Sequence, residues 1–392
     1  MNDTLLNSID LVCFSHQRWN FVYQRPQHLL SRFSRYFRVF YIEDPIFHAN
    51  TDRYDITLES GNIAIVVPHL QHGPNHADVH QRLETLLTSL FQEERILNYI
   101  FWYCSPAAIS ISRAFRPRLA IYDCMEEFSR NRFASREIHA QEAELLSTAD
   151  LVFTSGYSLY ESKKKLHPRV YPFPNSIDKD HFLHARTITF DPPDQQHIPH
   201  LRIGYYGVID ERVDMPLLER ISRLRPHWRF IMVGPIVNVD PDLLPNFHNI
   251  HYLGSKLYGD LPHYLAGWDI AIIPFIRNES TRFINPAKTP EYLAAGKPVI
   301  STPINDVIRY YGNKGLVKIA GTPEEFVRVA EEELNLSADD RNRWLDKVDD
   351  FLETHSWDKI SADMLKLIRT SLTDREAKPE KQMNVAGTIT ES

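Results

Sequence analysis

The chain has 392 residues, enough for two domains of ordinary size, each with its own core. Apolar residues make up 43% and charged residues 24%, which is typical of a globular protein, and the formal net charge of −7 argues against nucleic acid as the main partner. The three cysteines show no spacing typical of zinc or disulfides, and no apolar run approaches a membrane span. We therefore expect a cytoplasmic protein, with room only for peripheral contact at the inner face of a membrane.

The first half of the chain alternates short apolar runs with helical patterns. The strand candidates are residues 9–14, 38–43, 62–67, 99–103, 119–122 and 150–154, and helices are predicted at 26–37, 80–97 and 135–148. Strands that alternate with helices predict βαβ units and a mostly parallel sheet. We therefore predict an N-terminal Rossmann-like domain over residues 1–183.

The loop after the first strand, residues 15–28, is rich in aromatic and cationic side chains. Loops over the mouth of a sheet are where binding sites concentrate, so we predict that this loop binds a sugar or anionic acceptor. The predicted acceptor-binding residues are His16, Arg18, Trp19 and Arg25. In the alternative interpretation, Trp19 is ordinary packing and the two arginines are solvated.

A carboxylate at the end of a predicted strand is a candidate catalytic group. Asp123 ends the strand at 119–122 and lies at the level where catalytic groups are found in open α/β sheets. The alternative is that Asp123 only caps the next turn. We keep Asp123 as a candidate general base on the acceptor side.

A polar, proline-bearing stretch at 184–200 reads as a linker, after which the strand–helix alternation restarts. Strand candidates at 201–206, 229–233, 249–253, 269–274, 297–302 and 315–319 predict a second parallel sheet. We assign residues 201–355 to a C-terminal Rossmann-like domain, 356–373 to a final helix and 374–392 to a disordered tail. A single large doubly wound domain and unrelated tandem domains remain as alternatives.

Glycines follow the first two strands of the second half. Small residues at a strand–helix turn let a phosphate approach the backbone closely, so Gly207 is a candidate for contact with a diphosphate. Gly234, at the end of the next strand, is expected to be a turn residue, with approach to the nucleotide base as the alternative. Arg212 lies in the loop after Gly207, and a family resemblance carried by residues 279–302 implies that it faces the diphosphate.

Residues 269–302 read as one strand, a polar loop, a helix and a second strand at 297–302. For the helix we predict Thr289 as N-cap, Pro290 as first helical residue and Gly296 as the end. In a doubly wound sheet, the loop before this helix opens at the carboxyl ends of the strands, where ligands bind.

That loop and the first turn of its helix supply most of the predicted donor ligands. Glu279, Thr281, Arg282 and Lys288 are polar and lie together in the sequence, and a helix N-terminus favours an anion such as a diphosphate. Glu291 can accept hydrogen bonds from a pair of sugar hydroxyls. The sequence therefore predicts a nucleotide-sugar pocket here.

The run ESTRFINPAKTPEYLAAGKPVIST, which begins at Glu279, resembles the donor-binding segment of GT-B glycosyltransferases close to the retaining family-4 enzymes. It is most similar to the branch that includes teichuronic-acid glycosyltransferases, and residues 122–127 resemble a run of the same branch. The two-glutamate motif of the family has seven residues between its glutamates. Glu291 matches the second glutamate, Phe283 stands at the first, and Glu279 is the nearby candidate to replace it.

The resemblance implies an α/β protein of the GT-B fold, with two Rossmann-like parallel-sheet domains facing a cleft. It implies a retaining glycosyltransferase of hexosyltransferase type that moves a sugar from a nucleotide-diphospho-sugar to a cell-surface polysaccharide, glycan or lipid-linked acceptor. We predict no metal and no cofactor beyond the donor, with Asp123, Arg212 and Lys288 as the catalytic candidates. An inverting transferase, a sugar-nucleotide epimerase and a non-catalytic nucleotide-sugar-binding partner remain as alternatives.

Overall fold

The structure, a computed structural model, describes residues 6, 8–71, 76–128 and 135–386, and these fall into two units. Unit 1 comprises the described residues within Met1–Ser155, Leu159–Phe173 and Asp358–Ser392. Unit 2 comprises Gly156–Ser158 and Pro174–Trp357.

Unit 1 is built on a sheet to which the described residues contribute nine strands. The order is β3-β5-β2-β1-β6-β7-β8-β9; β4 pairs with β5 and is antiparallel to it, while the other pairs are parallel. The strands are β1 (Asp10–Ser15), β2 (Arg38–Glu43), β3 (Ile46–Ala49), β4 (Arg53–Glu59), β5 (Ile63–Gln71), β6 (Tyr99–Tyr103), β7 (Ala120–Cys124), β8 (Leu151–Thr154) and β9 (Val170–Pro172). The six strands expected in this half are confirmed; the short or solvent-facing β3, β4 and β9 were not predicted, because they lack a continuous apolar run.

Unit 2 is built on a second sheet, with six strands among its described residues in the order β12-β11-β10-β13-β14-β15. All of its pairs are parallel. The strands are β10 (Arg202–Tyr206), β11 (Arg229–Val233), β12 (Ile250–Gly254), β13 (Ile270–Ile273), β14 (Val299–Ser301) and β15 (Lys318–Ile319). All six were predicted, because buried parallel strands are short continuous apolar runs.

Helices connect the strands in both units, and no described helix is both long and apolar enough to cross a membrane. They are α1 (Arg25–Phe33), α2 (His76–Glu93), α3 (Ile109–Ser112), α4 (Arg136–Thr148), α5 (Tyr157–Lys163), α6 (Lys179–Leu183), α7 (Met215–Leu224), α8 (Leu261–Ala266), α9 (Lys288–Ala294), α10 (Asn305–Tyr310), α11 (Pro323–Leu334), α12 (Ala338–Leu352) and α13 (Trp357–Ala386).

The final helix is longer than the sequence indicated. It was expected over 356–373, followed by a disordered tail over 374–392, but α13 continues to Ala386. The polar composition of 374–386 suggested a tail, yet most of its residues are good helix formers, which can extend a helix that packing has already started. Residues 387–392 lie outside the described residues.

The stretch expected to be a linker, residues 184–200, is an integral part of unit 2. Asp191 forms an ion pair with Arg202 at 2.8 Å, and the Gln195 side chain is fully buried. The Trp268 indole N–H donates to Gln195 Oε1 at 2.9 Å, and Gln195 Nε2 donates to the Tyr264 carbonyl at 3.1 Å. A polar, proline-rich stretch reads as a linker when its polar side chains face water; here Gln195 is buried and hydrogen-bonded, and Asp191 is ion-paired, so these two side chains attach the stretch to unit 2.

Candidate active site

Glycines at the ends of β10 and β11 bring two backbone turns of unit 2 into direct contact. Gly207 and Gly234 have φ of +134° and +142°, a region that residues with a side chain rarely adopt. The Gly207 N–H donates to the Val233 carbonyl at 2.9 Å, and a Cβ on Gly234 would lie 1.9 Å from the Gly207 oxygen. Both predicted glycine positions are therefore at the carboxyl edge of the sheet, the edge at which ligands bind in doubly wound sheets.

Lys288 projects toward this glycine turn from the first residue of α9. A Cβ on Gly207 would lie 2.9 Å from Lys288 Cε and 3.1 Å from its Nζ. The Nζ is 5.1 Å from the ring centroids of both Tyr205 and Phe275, and no described residue forms an ion pair with it. Loss of contact with water, together with the nearby charge of Arg212, lowers the pKa of the Lys288 amine to about 8. The Lys288 amine therefore lies close to the Tyr205 and Phe275 rings and next to the backbone of Gly207.

Arg212 lies in the loop after β10, as predicted, and is positioned by its own segment. Its Nε is 2.9 Å from both carboxylate oxygens of Asp210, and the Ile276 N–H donates to the Arg212 carbonyl at 2.8 Å. Val213 pairs with Phe275 in a short antiparallel bridge, which joins the loop after β10 to the loop after β13. The structure therefore brings Arg212, Lys288 and Gly207 to one edge of the sheet, with the arginine charge partly offset by Asp210.

Glu291 lies in the first turn of α9, and its side chain is 6% exposed. Burial raises the pKa of Glu291 to about 7, while a hydrogen bond from the Tyr206 hydroxyl and the charge of Lys288 act in the opposite direction. Sequence reasoning found Glu291 but missed Tyr206. The sequence did contain a signal for Tyr206, because it is a tyrosine at the end of an otherwise apolar strand. A buried tyrosine hydroxyl at such a position needs a hydrogen-bond partner.

The loop between β13 and α9 is held together by the side chains of Asn278 and Thr281, and Thr281 was predicted to bind the donor. The Asn278 side chain accepts from the backbone N–H groups of Ser280 (3.0 Å) and Thr281 (2.9 Å). Thr281 is 1% exposed, and its hydroxyl donates to the Ile276 carbonyl at 2.5 Å and accepts from the Asn278 N–H at 3.1 Å. Its hydroxyl is already used within the loop, so the structure assigns Thr281 to loop stability rather than to donor contact.

The other two loop candidates, Glu279 and Arg282, are exposed to solvent. Phe283, at the position of the first motif glutamate, is buried and packs within the unit. A carboxylate at that position would be out of water, which explains why an apolar side chain is tolerated there. The structure does not bring Glu279 into contact with Glu291.

The start of α9 differs from the prediction by two residues. The helix begins at Lys288, and Ala287 is the N-cap with no side-chain hydrogen bond. Thr289 and Pro290 are the second and third helical residues and are buried. The Thr–Pro pair suggested a cap because it often starts helices, but here Pro290 sits where its missing N–H still costs no internal hydrogen bond.

In unit 1, Asp123 is not accessible as a general base. Its side chain is fully buried, and both of its oxygens accept hydrogen bonds from the Arg25 guanidinium at 2.7–3.1 Å. Arg25 also donates to the Phe173 carbonyl at 2.7 Å and is 3% exposed. Arg25, predicted to bind the acceptor, and Asp123, predicted to be catalytic, are therefore a buried ion pair joining β7, α1 and the end of β9.

The remaining acceptor candidates lie at the carboxyl ends of β1 and β2. Trp19 is 7% exposed and packs edge-on against Tyr41, with ring centroids 5.0 Å apart, so the packing interpretation holds. Glu43 accepts from the Trp19 N–H and from Arg18, both at 2.8 Å. Arg18 stays partly exposed, and His16 is half-buried with no hydrogen-bond partner for Nδ1 among the described residues.

No group of three or more His, Cys, Asp or Glu side chains within the described ranges is arranged to hold a metal ion. At the edge of the unit 2 sheet, Lys288 and Arg212 supply cationic groups. Together with Glu291 and the two glycines, they can bind an anion next to a group with paired hydroxyls.

The chain resembles solved glycosyltransferase structures over almost its whole length. Sucrose-phosphate synthase from Thermosynechococcus elongatus has a TM-score of 0.70 at 12% identity, covering 93% of this chain and 100% of that one. The trehalose-6-phosphate synthase OtsA has a TM-score of 0.68 at 12% identity, covering 92% and 99%. HepE from Anabaena, in complex with UDP and glucose, has a TM-score of 0.67 at 13% identity, covering 92% and 99%. The two parallel sheets are thus those of the GT-B glycosyltransferase fold.

Sequence comparison finds a family model that matches part of unit 2 and a relative that is similar to more of the chain. Residues 201–335 match the model of the Glycosyl transferases group 1 family. A Bacillus subtilis protein that carries the name of a teichuronic acid biosynthesis glycosyltransferase, TuaH, is 24% identical over 282 residues, which are 68% of this chain and 70% of that protein. The protein is a glycosyltransferase, and its residues 201–335 match the group 1 model.

Proposed function

We propose that the protein transfers a sugar from a nucleotide-diphospho-sugar to a cell-surface polysaccharide or glycolipid acceptor, and that unit 2 binds the donor. One observation carries this proposal: the Lys288 amine, with no ion-pair partner among the described residues, lies against the Gly207 turn beside buried Glu291. A cation left without a protein partner in such surroundings is well suited to an anionic ligand.

In this proposal the diphosphate of the donor lies over the Gly207 turn. Lys288 and Arg212 offset the negative charge that develops on the nucleoside diphosphate as it leaves. Glu291 accepts hydrogen bonds from the ribose hydroxyls, and Gly234 lies near the nucleoside. The two protein cations supply the charge that a metal would otherwise supply, so the proposed reaction needs no metal ion and no cofactor beyond the donor.

The names of the relatives support a uridine nucleotide and an envelope acceptor. HepE is described with UDP and glucose, and a trehalose-6-phosphate protein from E. coli with UDP-2-fluoro glucose. TuaH carries the name of an enzyme of teichuronic acid biosynthesis. We take UDP as the probe nucleotide and, by the sequence resemblance, propose that the transfer retains the anomeric configuration.

The acceptor is assigned to unit 1 in this proposal. Arg18 is the partly exposed cation and His16 the half-buried polar group at the ends of β1 and β2, where a sugar or a phosphate of a lipid-linked acceptor can be bound. We place the reaction in the cytoplasm, at the inner face of the membrane, where such an acceptor is reached by peripheral contact.

Calorimetric titration of UDP into the full chain tests the donor site. We expect Lys288→Ala and Glu291→Ala each to weaken UDP binding about tenfold or more, a loss of about 1.4 kcal/mol, at a nearly unchanged melting temperature. Lys314→Ala is the matched control, because this exposed lysine lies 4.3 Å from the Phe351 centroid in the same unit and should leave UDP binding unchanged.

Binding should also persist with a chelator such as EDTA present. If the two variants bind UDP as tightly as the parent protein, the donor site lies elsewhere. Product analysis with labelled UDP-sugar, which gives the anomeric configuration, then tests the retaining reaction separately.

A further inference from the structure

The carboxylate of Glu291 is held from the side of the sheet by Tyr206, the last residue of β10. The Tyr206 hydroxyl donates to Glu291 Oε2, and both side chains are 6% exposed. Among the described residues, Tyr206 is the one hydrogen-bond partner of this carboxylate. Oε1 is thus the oxygen that remains for a ligand.

Tyr206 is itself fixed on both its backbone and its ring. The Tyr206 N–H donates to the Tyr292 hydroxyl at 2.9 Å, and the two rings meet edge to face with centroids 4.9 Å apart. The Phe182 ring lies parallel to Tyr206, with centroids 6.4 Å apart. A side chain fixed in this way cannot swing to another rotamer, so the hydroxyl stays aimed at Glu291.

Several charged or titratable groups face this pair. Lys288 on α9 favours the carboxylate form of Glu291, and Asp178, just before α6, opposes it. Glu291 in turn disfavours ionisation of Tyr292 and of Tyr311 after α10. Around the pair, Arg212 and Asp210 act on Lys288 with opposite signs, and Tyr258 acts on Tyr206. Tyr206 differs from all of these groups because it donates a hydrogen bond to the carboxylate itself.

We propose that Tyr206 is a positioning residue for the nucleotide: its hydrogen bond to Oε2 holds the Glu291 carboxylate turned so that Oε1 receives the ribose hydroxyls. This inference rests on the proposed function, since it needs a nucleotide donor in unit 2. Tyr206 does not touch the ligand in this account; it acts through Glu291 alone.

Tyr206→Phe tests the proposal, because it keeps the ring and removes only the hydroxyl. The full chain is titrated with UDP and, separately, with pyrophosphate, which has no ribose. We expect UDP to bind about tenfold more weakly at pH 7, as for the loss of a hydrogen bond to a charged group, with pyrophosphate binding unchanged. Without the donated hydrogen bond the pKa of Glu291 rises, so the rise of UDP affinity with pH should move to higher pH in the variant.

Tyr264→Phe is the matched control. It removes the same kind of contact, a tyrosine hydroxyl donating to the Asp194 carboxylate at 2.7 Å, elsewhere in unit 2. Both of its titrations should match the parent protein. An equal loss of UDP and pyrophosphate binding in Tyr206→Phe, or no loss, would overturn the positioning role. Failure of the parent protein to bind UDP at all would instead overturn the proposed donor site.

Discussion

Two lysines, one in each unit, are surrounded in opposite ways. Lys163 in unit 1 is fully buried and donates to Glu127 at 2.5 Å and to Glu142 at 2.7 Å. Burial alone would lower the pKa of Lys163, but its anionic neighbours raise it above the usual value. Lys288 in unit 2 is surrounded by aromatic rings, whereas Lys163 is surrounded by carboxylates. The pKa of Lys288 is lowered to about 8.

Pairing like that of Lys163 is found for other charged groups in both units, and Arg202 with Asp191 is an example in unit 2. In unit 1, Arg25 with Asp123 and Arg18 with Glu43 offset one another within the protein. A buried charge that is paired and hydrogen-bonded contributes to the integrity of the fold, whereas a cation kept from a protein partner costs stability and gains by binding an anion. The difference between paired charges and Lys288 indicates which charged residues serve the fold and which serve a ligand.

The largest expected effect is on the paired charges of unit 1. Asp123→Asn leaves the Arg25 guanidinium buried without its counter-ion, which we expect to lower the free energy of unfolding by about 3–5 kcal/mol. Asp358→Asn is the control, because its ion pair with Arg32 is exposed on the aspartate side and is worth less than about 1 kcal/mol. Urea unfolding measures both.

A loss of turnover without a loss of stability would support the role of general base that the sequence predicted for Asp123. If Asp123→Asn unfolds like the parent protein and instead loses turnover tenfold or more, Asp123 acts as a general base and the contrast between the units fails.

An intermediate effect is expected from pH at Lys288. Because the pKa of Lys288 is lowered to about 8, its amine loses its charge as the pH rises through that value. UDP affinity of the parent protein should then fall, approaching about tenfold per pH unit, because one proton must be taken up on binding. In Lys288→Arg the guanidinium stays protonated, so UDP affinity should stay level from pH 7 to 10.

Titration of UDP across that pH range, in parent and variant, checks this expectation. A parent affinity that stays constant from pH 7 to 10 would show that Lys288 is not the cation that meets the diphosphate.

The smallest effect is expected at Glu279, the candidate for the missing first glutamate. Its side chain is exposed, and the turn around it is held by Asn278 and Thr281. We expect Glu279→Gln to change UDP affinity less than about twofold, since an exposed charge interacts weakly through water. A tenfold change in the same calorimetric titration would show that Glu279 does replace the first glutamate.

The sequence predicted what depends on local patterns. Short apolar runs located both sheets, and the polar loop before α9 located Lys288 and Glu291. It could not show that Arg25 pairs with Asp123, because 98 positions separate the two residues and only the folded sheet brings them together. For the same reason the sequence could not show that the Tyr206 hydroxyl bonds Glu291, since 85 positions separate these two residues. The 184–200 stretch was misread because composition does not reveal whether a polar side chain has a buried partner.

The last helix has a consequence for how the protein is made. From Asp358 onwards α13 belongs to unit 1, where Arg32 bonds Asp358 at 3.0 Å, Arg169 bonds Ser371 at 2.6 Å and Arg375 bonds Asp150 at 2.5 Å. The ribosome therefore releases most of unit 1 before the segment that completes it has been synthesised. Unit 1 begins first and finishes last, after the whole of unit 2 has emerged, and a chain stopped at residue 173 lacks a piece of its own N-terminal domain.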